Sequence, residues 1–129
     1  MAAAPADFRA ASPAKRKIKK DASPDSLALA RTPDILAATK RARRKGSIIV
    51  GFALETNDAV ENGRAKLLAK ELDLIVVNDA TEAGAGFAVD TNRVTFLARN
   101  GDEERLPLLP KSDVADAILD GVEAELRGR

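Results

Sequence analysis

The sequence predicts a three-layer α/β fold with a mainly parallel sheet, followed by a β-hairpin and a helix. Two unbroken apolar runs, 47–54 and 74–77, are typical of strands that are buried on both faces. A segment with helix signals and short joints precedes each run, as in the right-handed crossovers that build parallel sheets. Ligands of such folds bind at the carboxyl ends of the strands, so we expect a site there.

The boundaries of the first two helices rest on capping signals. Residues 32–34 supply an N-cap threonine, a first-turn proline and a first-turn acid in that order, and the helix is expected to run to about Lys45. A second helix is predicted from a cap at Thr56 to about Leu72. Its core-facing residues are expected to be Val60, Leu67 and Leu68.

The carboxyl-terminal part of the chain changes character. Residues 79–90 are predicted to form a glycine-containing loop. Asn100-Gly101 lies between the strand-like segments 94–99 and 104–108, which is the typical signature of a β-hairpin. Ser112 can cap a last amphipathic helix.

The amino-terminal segment lacks apolar periodicity. Residues 1–8 resemble the tail of a strand without its body, from which we expect the domain's first strands to lie upstream of Met1. Residues 9–25 contain two prolines and a dense basic run, and they are predicted to form a mobile basic loop.

Composition restricts the available chemistry. The 129 residues form at most one ordinary domain, and charged residues nearly cancel to a formal charge of +1, which does not favour a nucleic-acid partner. The absence of cysteine and histidine excludes disulfides, thiol nucleophiles, imidazole bases and zinc sites with those ligands. No apolar run reaches the roughly 18 residues of a membrane span. A cytoplasmic protein without a membrane partner is therefore expected.

Basic residues dominate the candidate binding positions. The run 15–20 puts five cations in six positions and can neutralise a polyphosphate, although an isolated run of this kind is more often a solvated patch. The helix start at 33–36 offers backbone N–H groups to an anion or is a plain cap. Phe52 can stack on a flat ring or belong to the core. Lys66 and Lys70, four residues apart, suit an anion, although such pairs usually face solvent.

Three polar residues complete the set of candidates. Asp7, beside the basic loop, can orient a ribose or magnesium, or it can order a turn. Asn78 and Asp79 follow a strand directly, at the edge where crevice ligands bind. None of these features is decisive by itself.

Seven segments together carry a family resemblance that covers essentially the whole chain, in order and with matching spacing. They are Ala2-Ala3-Ala4-Pro5-Ala6-Asp7-Phe8-Arg9, Lys17-Ile18-Lys19-Lys20, Pro33-Asp34-Ile35-Leu36, Gly51-Phe52-Ala53-Leu54-Glu55-Thr56, Lys66 with Lys70, Val77-Asn78-Asp79 and Asp90-Thr91-Asn92-Arg93-Val94. The chain in this respect resembles the phosphopantothenate–cysteine ligase family, the synthetase part of the bifunctional coenzyme A biosynthesis flavoprotein. The resemblance implies a Rossmann-like fold, with residues 1–129 as the carboxyl-terminal portion of the ligase domain.

The resemblance also implies an activity. It is a CTP-dependent ligation of 4'-phosphopantothenate and cysteine through an acyl cytidylate, assisted by Mg2+. Carried over residue by residue, the family's nucleotide contacts fall on Met1, Ala2, Ala3, Asp7, Lys17, Pro33, Asp34, Ile35, Leu36, Phe52, Lys66 and Lys70.

Physical roles for these residues follow as hypotheses. Lys17, as the catalytic residue, would stabilise charge on the phosphates while pyrophosphate leaves. Lys66 and Lys70 would hold the anionic part of the nucleotide, while residues 33–36 and Phe52 would frame its base or sugar. The ligands that hold magnesium remain open.

The sequence departs from the family pattern in two respects. Leu54 stands where the family usually has alanine, and the amino-terminal half of the family's domain is not in this sequence. We therefore expect a homodimer or a complementing chain to complete the site, and no FMN to bind here. The alternative is a small nucleic-acid-binding protein that uses the basic patches 15–20 and 40–45.

Overall fold

A computed structural model describes residues 5–19, 26–82, 84 and 89–128. The predictions for Met1, Ala2 and Ala3, and for the end of the basic loop at 20–25, lie outside the described residues. The chain divides into two compact units, Met1–Arg41 and Ala42–Arg129. Each unit is described by itself below.

The first unit contains a two-stranded antiparallel sheet, in which β1 (Phe8–Ala10) pairs with β2 (Leu29–Arg31). Phe8 lies opposite Arg31, whose guanidinium carbon lies 5.6 Å from the centre of the phenyl ring. Of the predicted strand tail, Phe8 belongs to this two-stranded ladder. Part of the predicted basic loop, Arg9 and Ala10, also belongs to this ladder.

The predicted first helix is much shorter in the structure than the sequence signals indicated. Only α1 (Ile35–Ala38) is α-helical, and a 3-10 turn, Lys40–Ala42, follows it. Its N-cap is Asp34, whose side chain accepts the N–H of Ala37, whereas the Thr32 hydroxyl donates a hydrogen bond to the carbonyl of Ala6. A strong start signal at 32–34 therefore led to an overestimate of helix length, because a cap sets where a helix begins and not how far it continues.

The second unit is built on a four-stranded sheet with the order β3-β4-β6-β7. Its strands are β3 (Val50–Glu55), β4 (Leu74–Asp79), β6 (Val94–Ala98) and β7 (Glu103–Arg105). A two-stranded ladder joins β5 (Thr91–Asn92) to β8 (Leu109–Pro110). The helices are α2 (Ala59–Ala69) and α3 (Lys111–Arg127).

The sheet is mixed. The strands β3 and β4 are parallel and joined by α2, as the sequence predicts, whereas β4 pairs with β6 and β6 pairs with β7 in antiparallel fashion. The α/β Rossmann-like class is thereby confirmed. Parallel pairing is confined to one strand pair among the described residues, so this sheet has less parallel pairing than the sequence predicts.

Helices cover both faces of this sheet. On one face, α2 packs through Gly63 and Leu67, against Val77 and Leu97 among others. On the other face, Val114 of α3 joins a core of strand residues, with Ala117 and Ile118 packed against it. The strand residues of that core are Leu74, Val76, Val94 and Phe96, together with Leu106 just after β7.

The remaining predicted elements are present with shifted boundaries, but the last helix begins at Lys111 with Pro110 rather than Ser112 as its N-cap. The hairpin around Asn100-Gly101 is confirmed, and Gly101 has a φ of +103°, which favours glycine. The second helix begins at Ala59 rather than after Thr56, because Asp58 adopts the left-handed region. Within that helix Leu67 is buried as expected, but Leu68 is exposed. No helix in the described part of the chain is long and apolar enough to cross a membrane.

Candidate functional site

The carboxyl ends of β3 and β4 form the edge where the sequence predicts a site. Glu55 ends β3 directly opposite Asp79, which ends β4. The carbonyl of Glu55 accepts a hydrogen bond of 2.7 Å from the N–H of Ala80, so the two strand ends stay joined beyond the ladder. Two carboxylates on the α2 face therefore mark this edge.

Phe52 lies on the opposite face of β3. Gly51 and Ala53 are buried towards α2, whereas Phe52 is 73% exposed although its cross-strand neighbour Val76 is buried. An aromatic ring that is largely exposed in the middle of an apolar strand is available for stacking on a flat group. This excludes the alternative that Phe52 is simply a core residue of this unit.

Lys66 is held at the carboxyl edge by an ion pair. Its Nζ lies 2.5 Å from Oε1 of Glu55, whose side chain is only 11% exposed. Helical side chains lean towards the amino end of their helix, which is why a lysine in the second half of α2 reaches back to the end of β3. Lys66 is thus not the purely solvent-facing residue of the alternative interpretation.

Lys70 occupies the C-cap of α2 rather than its interior. Its N–H donates to the carbonyl of Lys66 at 3.0 Å, and its own carbonyl accepts a bond from Arg43 Nη2 at 3.1 Å. Arg43 Nη1 donates to the next carbonyl, that of Glu71, at 2.8 Å. The end of the helix that carries both lysines is therefore fixed by one arginine, which the sequence analysis included only in the basic patch 40–45.

In the first unit, the predicted contacts on residues 33–36 are arranged differently from the expectation. Asp34 Oδ1 accepts the N–H of Ala37 at 3.1 Å, so the acid itself caps the short helix. Pro33, Asp34 and Ile35 are exposed and Leu36 is half-buried. The expected array of N–H groups at a long helix start is reduced to one short turn.

Asp7 and Lys17 are both exposed residues of the first unit. The carbonyl of Asp7 accepts the N–H of Thr32 at 2.9 Å, extending the ladder of β1 and β2 by one bond. That bond involves only the backbone of Asp7. Lys17 lies in the segment between the two strands, outside any helix or strand.

A hollow of about 410 Å³ opens beside Asp79, at the amino end of α2. Glu82 there pairs with two arginines, with Arg93 at 2.8 Å and also with Arg105. Hydrogen bonds from the side chain and the backbone N–H of Thr81 lower the pKa of Asp79 below its ordinary value of 3.8, and Arg105 acts in the same direction. The sequence analysis marked Asp79 but missed Arg105, which comes from the antiparallel strand β7, and it included Arg93, between β5 and β6, only within a family segment.

Magnesium ligands are the remaining expectation. Among the residues that the structure describes, no group of three or more acidic, histidine or cysteine side chains is arranged to hold a metal ion.

The fold defines a Rossmann-like α/β domain, and the carboxyl ends of its parallel strands form the candidate edge. The chain belongs to the DNA/pantothenate metabolism flavoprotein C-terminal domain family, whose model matches residues 1–126. This family confirms the resemblance read from the sequence motifs.

Three known proteins illustrate the similarity. The coenzyme A biosynthesis bifunctional protein CoaBC of Bacillus subtilis is 44% identical over 95% of this chain and 30% of its own length. A cysteine/cysteine sulfinic acid decarboxylase of an unknown prokaryotic organism is 38% identical over 92% of this chain and 33% of its length. A crystal structure of the C-terminal domain of CoaBC matches with a TM-score of 0.67 and 34% identity, over 80% of this chain and 46% of that one. The chain thus spans about a third of these curated relatives.

Proposed function

We propose that this chain acts in coenzyme A biosynthesis as part of a CTP-dependent phosphopantothenate–cysteine ligase. A carboxylate oxygen of 4'-phosphopantothenate would attack the α-phosphorus of CTP, forming an acyl cytidylate and releasing pyrophosphate. The amine of cysteine would then attack the acyl carbon, lose a proton and displace CMP. The similarity to coenzyme A biosynthesis proteins supports this choice.

One observation carries the proposal. The exposed ring of Phe52 lies on one face of the sheet in the middle of β3, while Lys66, paired with Glu55 at the end of β3, lies on the other face. A nucleotide has a flat base that can stack on Phe52 and polar atoms that can bond to Lys66. A nucleotide that crosses the edge of β3 can therefore contact both residues. The decarboxylase name of one relative does not outweigh this, because that protein is 38% identical to this chain and the CoaBC protein of Bacillus subtilis is 44% identical.

Lys17 is the proposed catalytic residue. It is an exposed residue of a basic segment, and a mobile cation there can meet the phosphates when they bind and release pyrophosphate after the reaction. Lys70, on the fixed end of α2, would add a second cation for the phosphates. Magnesium would enter with the triphosphate, because the described residues provide no three-ligand protein site.

A further polypeptide segment would complete the pocket for 4'-phosphopantothenate and cysteine. The described sheet has β3 at its edge, so a strand from another part of the protein or from a second copy could extend it. We propose a homodimer or a complementing chain as the working unit.

The test is nucleotide binding by the purified chain. We expect CTP to bind with magnesium, more tightly than ATP, and Lys17→Gln to weaken CTP binding about tenfold while the unfolding transition stays unchanged. Lys19→Gln, two residues away in the same exposed segment, is the matched control and should bind normally. Binding to DNA that falls steeply with salt, without any binding of CTP, would reject the ligase and support the nucleic-acid alternative.

A further inference from the structure

The ion pair of Lys66 bears on what this lysine can bind. Glu55 Oε1 lies 2.5 Å from Lys66 Nζ, and the Glu55 side chain is 11% exposed against 45% for that of Lys66. A carboxylate with so little access to water relies on its counter-charge, and separating the two would leave the carboxylate poorly solvated. The pair therefore behaves as a unit with no net charge.

A phosphate would bind only weakly to this ion pair. An incoming phosphate oxygen would gain from Lys66 but would be repelled by the carboxylate of Glu55 next to it. The ammonium group nevertheless has three donors, of which the ion pair with Glu55 uses one, and its exposed side reaches the edge. An uncharged acceptor, such as a carbonyl or ring nitrogen of a pyrimidine or a ribose hydroxyl, gains from such a donor without the repulsion.

We propose that Glu55 is a positioning residue that fixes Lys66 as a hydrogen-bond donor to the nucleoside part of the nucleotide, not to its phosphates. This inference rests on the proposed nucleotide binding and refines it. It replaces the role that the sequence alone assigned to Lys66, that of holding the anionic part. Glu55 itself does not touch the nucleotide in this scheme and acts only through Lys66.

The backbone around Glu55 supports a positioning role. Glu55 ends a strand that is paired with β4 at every residue, and its carbonyl is bonded to Ala80. Lys66 stands on a helix packed against the same sheet through Gly63. Both partners are thus carried by fixed backbone, so the direction of the Lys66 amine is set before a ligand arrives.

Calorimetry on the full chain compares the affinities for CTP, CMP and inorganic pyrophosphate. The affinity for pyrophosphate is measured from its displacement of CTP. Glu55→Gln and Lys66→Met should each weaken the binding of CTP and of CMP by the same factor, about tenfold, and leave the binding of pyrophosphate unchanged. The double variant should be no worse than either single one, because both remove the same interaction. A general loss of structure would instead weaken all three ligands.

Arg64→Met is the matched control on the same helix. It removes an exposed ion pair of 2.9 Å with Glu103 and should leave all three affinities unchanged. Tighter CTP binding by Glu55→Gln would overturn the proposal, since it would mean that Glu55 competes with a phosphate for Lys66. Loss of CTP binding without loss of CMP binding in Lys66→Met would also overturn the proposal.

The outcomes separate this inference from the proposed function. Wild-type chain that binds CTP, with variants that bind it equally well, rejects only the role of Glu55. Wild-type chain that binds neither CTP nor CMP rejects the nucleotide site, and this inference with it.

Discussion

Gly63 of α2 lies so close to Val77 of β4 that a methyl group added to the glycine would overlap the valine side chain. Leu97 of β6 borders the same space from the other side. The helix that carries Lys66 therefore touches the sheet with its backbone, which sets how deeply it lies and where its lysines emerge.

Gly63→Ala should destabilise the chain by about 1–2 kcal/mol, because the overlap with Val77 outweighs the higher helix propensity of alanine. The measurement is urea unfolding followed by circular dichroism. Gly121→Ala in α3 is the control, since its nearest neighbour, Leu74 Cδ2, would be in ordinary contact at 3.4 Å. That variant should be neutral or up to about 1 kcal/mol more stable, and equal losses in both variants would contradict the close approach at Gly63.

Arg43→Met should lower the free energy of unfolding by about 1–3 kcal/mol, because the carbonyls of Lys70 and Glu71 lose the guanidinium donors. Hydrogen exchange should also speed up at the end of α2. Arg44→Met, an exposed neighbour, should change stability by less than about 0.5 kcal/mol. Similar effects of the two variants would show that the clamp does not stabilise the helix end.

Asp73 stabilises the entry to both parallel strands, and its replacement should be costly. The residue is 5% exposed, accepts the N–H of Ile49 at 2.8 Å and lies 3.5 Å from the Arg99 guanidinium. Asp73→Ala should destabilise by about 2–4 kcal/mol in thermal unfolding, because a backbone donor and an arginine lose their acceptor. Asp73→Asn keeps an acceptor oxygen and should lose less stability. Asp116→Ala, on the exposed side of α3, should lose little stability.

Titration to acid pH should show how Thr81 affects the pKa of Asp79 and the stability of the chain. Because the folded-state pKa of Asp79 is lowered by the two Thr81 hydrogen bonds, its contribution to stability is present above the ordinary value of 3.8 and is lost as the pH falls through the lower folded value. Thr81→Ala should raise the pKa of Asp79, read from the carboxyl carbon by NMR, and reduce the loss of stability below that pH. Thr56→Ala should leave the Asp79 titration unchanged; a shift there instead would contradict this account.

Prediction from sequence succeeded where the signal was local. The runs 47–54 and 74–77 became the parallel pair, and Asn100-Gly101 became the hairpin turn, because buried apolar runs and a left-handed turn position leave a chain few alternatives. Phe52 was also identified as a candidate before its exposure was known.

Prediction failed where partners come from distant parts of the chain. The N-cap of the first helix was misassigned to Thr32, whose hydroxyl bonds to the carbonyl of Ala6, 26 residues away. The contact face of α2 was misjudged because Gly63 carries no apolar signal, although close packing selects it. Hydrophobic periodicity does not register a residue chosen for its small size.

From the sequence alone came the class of fold, the strand pair, the family motifs and the identity of the charged residues, since these depend on composition and on spacing along the chain. Only the tertiary structure decided which of those charges compensate each other. A lysine and a glutamate 11 residues apart become a neutral pair, and an arginine becomes a clamp for a helix end, because electrostatic energies depend on distance and burial in space.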